Sequence, residues 1–410
     1  MKFEDYTISE SIKKQLALKH FVRPTDIQFK AIEPILKGED VLAIAQTGTG
    51  KTAAFVIPIL ELLLTKFQKQ HKMDGVTCLV LAPTRELALQ ISQVFQEIGK
   101  GTGIVTACIF GGVEQDPQIS KLQTGVDVLV ATPGRMFDLV SQTHLDISHV
   151  KILCIDEADL MLDLGFIKDI TDLMKHIPKN RQTLFFSATI TKKIKQLAYS
   201  IVRNAIRIQI SPKNPVAKNI QHAVVFVEMD HKRFFLENVL KEYAEKKFVV
   251  FVRTKIRAER VVAAMARVDV PSDFLHGGLD QKERFAILER FRSNQNKVLI
   301  TTDVAARGID IPDVEYVINY DIPDVAENYV HRVGRTGRGE RKGQALAFCS
   351  SDEKVLLTEI EEYTGEHIEH YDLADWEYQD ILKETEEGGH NWRKLLRDAN
   401  KDEGTEEDWE

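Results

Sequence analysis

The run Ala45-Gln46-Thr47-Gly48-Thr49-Gly50-Lys51-Thr52 follows an apolar stretch and opens a segment with helical spacing. Glycines at 48 and 50 let backbone N–H groups crowd around phosphate oxygens, and a helix N-terminus adds its positive dipole end. In this pattern Lys51 reaches the β- and γ-phosphates of a nucleoside triphosphate, and the Thr52 hydroxyl ligates Mg2+. Ala45 stands where the usual pattern has its first glycine. A triphosphate site also needs a carboxylate for the metal and a group that orients water. Asp156-Glu157-Ala158-Asp159 offers both, because the apolar run Ile152–Ile155 ends on two adjacent acids and presents them at the carboxyl edge of a sheet. Asp156 is expected to hold Mg2+ through water, and Glu157 to polarise the attacking water. Acids also open ordinary helices, but beside a phosphate loop that reading recedes.

These residues need a scaffold that brings strand ends together. Apolar runs at Val41–Ala45, Thr77–Ala82, Ile104–Phe110, Asp127–Ala131, Lys151–Ile155, Thr183–Phe186 and Ala205–Ile210 alternate with helical spacing, as in Thr84–Ile98 and Lys192–Ser200. That alternation predicts an α/β fold with a buried parallel sheet. It breaks at Ser211-Pro212-Lys213-Asn214-Pro215, where two prolines predict a linker over 211–219. It restarts with Ala223–Val227, Phe248–Val252, Val270–Leu275, Lys297–Thr301, Val314–Asn319 and Gln344–Phe348. Two domains are therefore expected, at 1–210 and 220–365, followed by a C-terminal extension over 366–410.

The 410 residues are 43% hydrophobic and 28% charged, the mix of a globular protein with room for two cores. No apolar run approaches the ~20 residues that span a bilayer. The cysteines Cys78, Cys108, Cys154 and Cys349 are scattered without a Cys-x-x-Cys pair, so buried thiols in a reduced, cytoplasmic setting are expected. A formal net charge of -8 argues against a surface that is basic throughout, though not against a local cleft lined by arginines.

With these features the chain resembles the DEAD-box RNA helicases of superfamily 2, and the match runs from about Phe3 to Phe348 with the motifs in family order. The resemblance implies two tandem RecA-like domains joined by a short linker, each a parallel sheet flanked by helices. It implies ATP and Mg2+ as cofactors. Phe21-Val22-Arg23-Pro24-Thr25-Asp26-Ile27-Gln28 resembles the Q motif, with Phe3 as its upstream aromatic. His20 stands where the family usually has glycine, and Asp26 where it often has proline. By this resemblance Gln28 reads the adenine edge, Phe3 stacks on the ring, and Phe21, Arg23 and Thr25 complete the nucleotide pocket. Pro83, Thr84, Arg85, Gly111, Gly112, Thr132, Pro133, Gly134 and Arg135 resemble the RNA-backbone contacts of the first domain. Ser187-Ala188-Thr189 resembles the motif that couples hydrolysis to strand separation, its hydroxyls bonding the Asp156–Asp159 segment.

In the second domain, Arg253 and Thr254, then Gln281 and Arg284, then Thr302 and Gly308 resemble further RNA contacts. By analogy Asp303, Arg307, His331 and Arg332 serve the contact between domains, and Asp310 reaches the ATP ribose. Arg335 and Arg338, in His331–Arg338, are the candidates to neutralise the γ-phosphoryl in the transition state. The implied activity is RNA-stimulated ATP hydrolysis coupled to closure of the two domains on single-stranded RNA, with local duplex separation. Single-stranded or duplex RNA is the expected partner, bound by a monomer through its backbone, a mode that carries no base information. An ATP-gated RNA clamp uses the same residues, and a DNA-directed relative is disfavoured by the Q motif. The extension carries Trp376, Trp392 and Trp409 and ends acidic (Asp402, Glu403, Glu406, Glu407, Asp408, Glu410), which predicts a solvated tail with room for protein partners.

Overall fold

The strands are built from Val, Ile, Leu, Phe and small residues in unbroken runs. Such runs suit a sheet covered on both faces, where neither set of alternating side chains meets water. A computed structural model of the protein describes residues 1–46, 48–67, 75–210, 216, 219–306, 309, 311, 314–337, 342–371 and 373–384. The chain divides between Ser211 and Pro212 into two units.

The first unit holds a parallel sheet of β1 (Val41–Ala45), β2 (Cys78–Leu81), β3 (Thr106–Ile109), β4 (Val128–Ala131), β5 (Ile152–Ile155), β6 (Gln182–Ser187) and β7 (Ile206–Ile210). Their order is β3-β4-β2-β5-β6-β1-β7. Alternate residues serve opposite faces. Val41, Ala43 and Ala45 pack with Cys78, Val80 and the helices Asp26–Leu36, Lys51–Thr65 and Arg85–Ile98. Leu42, Ile44, Leu79 and Leu81 pack on the other side, with Met136, Leu139 and Met161.

The second unit repeats the plan with β8 (Ile220–Phe226), β9 (Phe248–Phe251), β10 (Asp273–Leu275), β11 (Val298–Thr301), β12 (Tyr316–Asn319), β13 (Gly343–Cys349) and β14 (Glu369–Tyr371). All pairings are parallel, in the order β10-β11-β9-β12-β13-β8-β14. Within each unit, consecutive strands are joined through at least one helix that returns the chain to the other end of the sheet. Consequently, within each unit the carboxyl ends of the strands gather on one side.

The structure differs from the sequence reading at the C-terminal extension. The sheet does not end near 365: β14 pairs with β8 in register Glu369↔Ala223 to Tyr371↔Val225, and the helix Asp375–Glu384 follows. That helix lays Tyr378 against Phe235, with ring centroids 5.0 Å apart, and buries Ile381 in the second core. Three residues of strand are too short to show a period, which hid β14. Of the linker expected over 211–219 only Val216 and Asn219 are described, and Trp392, Trp409 and the acidic end lie outside the described residues. Among the described residues no helix is long and apolar enough to cross a membrane. The four cysteines are free thiols, three of them buried.

Candidate functional site

At the end of β1 the chain enters the glycine loop. Gly48 and Gly50 take φ values of +80° and +92°, which only glycine adopts without strain. Gly50 then caps the helix Lys51–Thr65, and the Thr49 hydroxyl donates to Gln46 O at 2.7 Å, closing the turn. Thr52 sits half-buried in the first turn. Thr47 lies outside the described residues.

Gln28 braces this loop from the side. It is 5% exposed, its Nε2 donates to Gly50 O at 3.1 Å, and its Oε1 accepts from Thr25 N at 2.9 Å. A Cβ on Gly50 would stand 2.5 Å from Gln28 Nε2, so the contact requires glycine. The Gln28 amide thus commits one N–H to the phosphate loop and one oxygen lone pair to Thr25. Thr25 and Gln28 also form a capping box for the helix Asp26–Leu36. Asp26 is its first residue, where proline is tolerated and an acid meets the positive helix end, so this departure from the family costs no geometry.

Phe3, the expected upstream aromatic, lies beside Phe21. It is 3% exposed and packs under Phe21, with centroids 6.2 Å apart and rings inclined by 30°. Its N–H donates to Val22 O at 3.2 Å. Phe21 is 38% exposed and is the ring left with a face in solvent. Phe3 thus supports the Phe21 ring from its buried side. Arg23 and Thr25 are exposed beside it.

β5 ends on Ile155, and the next two residues carry the carboxylates. Asp156 is 2% exposed, and one of its oxygens accepts from Glu157 N at 3.0 Å. Burial, with the charges of Glu157 and Asp159 nearby, outweighs Lys51 and the hydrogen bond from Glu157 N and pushes its pKa up to about 7. Glu157 adopts φ +49°, ψ +51°, a left-handed conformation that costs a non-glycine residue about 1–2 kcal/mol and often marks a functional turn. Lys51 Nζ donates to Glu157 Oε1 at 2.8 Å. Burial drives the Lys51 ammonium down, but Glu157, Asp156 and Asp159 together outweigh it and hold the pKa above the usual lysine value. A buried carboxylate facing the Lys51 ammonium, on a loop whose Gly48 has nothing within 4 Å of a built Cβ, suits a phosphate–cation pair. The residues present fit Mg2+: Thr52 and Asp156 are oxygen donors of the hard type it prefers.

The Ser187-Ala188-Thr189 turn meets this cluster, but not as expected. The N–H groups of Ala188 and Thr189 donate to Asp159 Oδ2 at 3.1 and 3.0 Å, whereas Ser187 Oγ donates to Thr189 O at 2.9 Å. Beyond the end of β6 these two amides no longer have ladder partners, and a carboxylate is the stronger acceptor for them. Backbone, not hydroxyls, ties the turn to Asp159.

The remaining strand ends of the first unit bring three expected segments together. Gly112, at φ +75°, lies against the Arg85 guanidinium: a Cβ there would be 2.3 Å from its nitrogens. Arg135 Nη2 donates to Val113 O at 2.8 Å, so both arginines converge on the Gly111–Val113 turn after β3. Thr84 caps the helix Arg85–Ile98, its hydroxyl accepting from Leu87 N at 3.3 Å, and Thr132 caps Pro133–Ser141. Pro83 is buried, and Gly134 is exposed with no atom within 4 Å of a built Cβ.

In the second unit the structure redirects several expected groups. Arg253 Nη2 donates to Ile322 O and Glu353 Oε1, both at 3.1 Å, and Nε pairs with Asp324 at 3.1 Å. Its guanidinium is thus committed to acids of its own unit, and the Thr254 hydroxyl caps the helix Lys255–Ala266. Arg332 is 1% exposed and donates to both oxygens of Asp303, at 2.6 and 2.8 Å, and to Asn319 Oδ1 and Asp321 O. Asp303 and Arg332, expected at an interdomain contact, instead form a pair inside the second unit, because a buried guanidinium needs acceptors on every side. Gln281 is buried at the start of Gln281–Arg292, and Arg284 donates to His276 O at 3.3 Å. Thr302 and His331 are half-buried, and Arg335 is 5% exposed. Arg307, Gly308, Asp310 and Arg338 lie outside the described residues.

Sequence reasoning missed the hub that holds Arg253. Lys232 is fully buried and donates to Tyr320 O at 2.9 Å, Phe348 O at 2.8 Å and Glu353. Asp321 accepts from Arg253 N and pairs with Arg257. Asp321 carried a weaker signal than Asp156, since it lies two residues beyond the end of the largely apolar β12.

Comparison with known proteins places these features. The family described as DEAD/DEAH box helicase matches residues 25–197, and that described as Helicase conserved C-terminal domain matches 231–340. The ATP-dependent rRNA helicase RRP3 of Candida albicans is 39% identical over 385 residues, 93% of this chain and 70% of that protein. The ATP-dependent RNA helicase RhlB of Vibrio cholerae is 37% identical, covering 90% of this chain and 84% of its own length. The structure of S. cerevisiae Dbp5 bound to RNA and ADP BeF3 superposes with a TM-score of 0.82 at 31% identity, over 93% of this chain and 99% of that one.

Proposed function

Since this chain belongs to the DEAD-box family of ATP-dependent RNA helicases, we propose that its hydrolytic site is built on the strand ends of the first RecA-like unit and completed by arginines of the second. The protein is an RNA helicase that hydrolyses ATP. The observation that carries the residue assignment is the convergence of Gly50, Lys51, Asp156 and Glu157 at one sheet edge, with Lys51 bonded to Glu157.

Phe21 stacks on the base, held from below by Phe3, with Arg23, Thr25 and Gln28 bordering it. Gln28 bonds Gly50 directly, so filling the base site and shaping the phosphate loop are one event. The N–H groups around Gly48–Gly50, with Thr47 and Thr49, cradle the phosphates, and Lys51 donates to them. Thr52 and Asp156 hold Mg2+, which when bound neutralises charge on the β- and γ-phosphates. Lys51 cannot serve the γ-phosphate and Glu157 equally. Phosphate binding therefore draws the ammonium away and frees the Glu157 carboxylate to accept a hydrogen bond from water in line with the γ-phosphorus. Arg335 and Arg338 then stabilise the charge that develops there, and Asp310 bonds the ribose.

RNA binds as a backbone. Arg85, Arg135, Thr84, Thr132 and the open glycines 111, 112 and 134 offer donors and close approach to phosphates on the first unit; Thr254, Gln281, Arg284, Thr302 and Gly308 do so on the second. Arg253 shapes that surface through Glu353 and Asp324, while Arg307 and His331 serve the contact between domains. Because ATP and RNA each engage both units, closure is linked to both ligands. Closure bends one strand and locally parts a duplex. The protein acts as a monomer in the cytoplasm, a setting its four free thiols, three of them buried, support. Arg335→Ala is expected to retain ATP binding and lose RNA-stimulated turnover by on the order of 10³-fold. Intact stimulated turnover in that variant would sink the two-unit site.

A further inference from the structure

The helix Lys354–Thr364 ends on Gly365, which turns the chain at φ +69° toward β14. Glu361, in the last turn, faces the segment that follows. Its Oε1 accepts from Ile368 N at 2.8 Å and lies 2.7 Å from His367 Nδ1 and 3.3 Å from His370 Nε2. The two imidazole centroids are 4.4 Å apart. Among the described residues this is the one grouping of His, Cys, Asp or Glu whose potential ligand atoms all fall within 4.8 Å of each other.

We propose that Glu361, His367 and His370 form a binding site for a divalent transition-metal ion of the Zn2+ type, separate from the nucleotide site. Two of the three ligands are anchored independently of each other, and the exposed His367 completes the set. Glu361 is fixed by the Ile368 amide, and Ile368 is fully buried between the two histidines. His370 sits in β14 opposite Val224, its ring edge-on to Phe226 at 5.3 Å. Such outer contacts are what orient metal ligands before the ion arrives. One carboxylate oxygen faces a nitrogen of each imidazole, so the three potential ligand atoms point at one another. A metal ion satisfies all three with both rings neutral.

Distances agree with this. Ligands about 2.0–2.1 Å from a tetrahedral Zn2+ are about 3.4 Å from each other. The His370–Glu361 separation of 3.3 Å already matches, and His367, 71% exposed, needs only a small side-chain turn to widen its 2.7 Å contact. Two nitrogens and one carboxylate favour Zn2+, Ni2+ or Cu2+ over Mg2+, so the ion that accompanies ATP does not compete. Three protein ligands leave a fourth position for water or a group from another molecule. The bound ion would pin edge strand β14 to the end of the preceding helix.

The test is titration of Co2+ into the full-length, untagged protein in excess Mg2+, following visible absorption. One equivalent with bands of a four- or five-coordinate ion is expected. His370→Ala and His367→Ala should each weaken binding at least about tenfold while leaving RNA-stimulated ATP hydrolysis and the metal-free melting curve unchanged. The exposed His367 keeps the test open should the His370 variant fold poorly. No stoichiometric binding, binding indifferent to both substitutions, or a thiolate charge-transfer band assigning Co2+ to cysteine would overturn the proposal.

Discussion

Lys51 Nζ donates to Glu157 Oε1 across 2.8 Å, so the phosphate-binding lysine is held by the carboxylate assigned to water. Each restrains the other until phosphate intervenes. Glu157→Gln keeps the shape and removes the charge that competes for Lys51. It should bind ATP as tightly as the parent or tighter, while hydrolysis falls at least about 100-fold. A fluorescent-nucleotide titration beside a phosphate-release assay separates the two. Weaker nucleotide binding in this variant would mean the pair organises the site rather than restraining it.

Gly50 should tolerate no side chain. Its φ of +92° disfavours any Cβ, and that Cβ would meet Gln28 Nε2 at 2.5 Å. Gly50→Ala is expected to destabilise the protein by about 1–3 kcal/mol and abolish ATP binding. Adding Gln28→Ala relieves the collision but not the backbone strain. The double variant should therefore recover part of the stability in a thermal melt and little of the ATP affinity.

His20 offers the opposite case. It takes φ +58° at an exposed turn where the resemblance expects glycine. His20→Gly should raise stability by up to about 1 kcal/mol, since a left-handed residue with a Cβ carries strain that glycine lacks. A melting temperature unchanged or lower would show that the side chain makes a compensating contact.

Gly112 and Arg85 should act as one unit in RNA binding. A methyl group at Gly112 would occupy the guanidinium's place, 2.3 Å from its nitrogens. Gly112→Ala and Arg85→Ala should weaken RNA by similar factors, with little further loss when combined. Each should flatten the dependence of log affinity on log salt by about 0.7, the value of one phosphate contact on a single strand. Independent, additive losses would separate the two residues.

Much of this was legible in sequence because parallel strands buried on both faces are continuous apolar runs, and catalytic acids stand where such runs stop. β1 and the Asp156–Glu157 pair follow from that rule alone. What hid was of two kinds. Some elements were too short for a period, as β14 was, or relied on distant packing, as the helix carrying Tyr378 does. Other side chains matched a motif but were claimed by closer partners. Arg253 finds Glu353 and Asp324, Arg332 finds Asp303, and Gln28 finds Gly50. Residue type and spacing give a group its chemistry; which acceptor lies nearest is decided by elements up to a hundred residues away, as Arg253 and Glu353 show.

The most direct test is ATP hydrolysis by the purified protein with and without single-stranded RNA, with Glu157→Gln as the blank and single-stranded DNA as the competitor. Strong stimulation by RNA, weak by DNA and absent in the blank, is the predicted result. Robust hydrolysis indifferent to RNA would contradict the account, and the RNA roles of Arg85 and Arg135 would fall first.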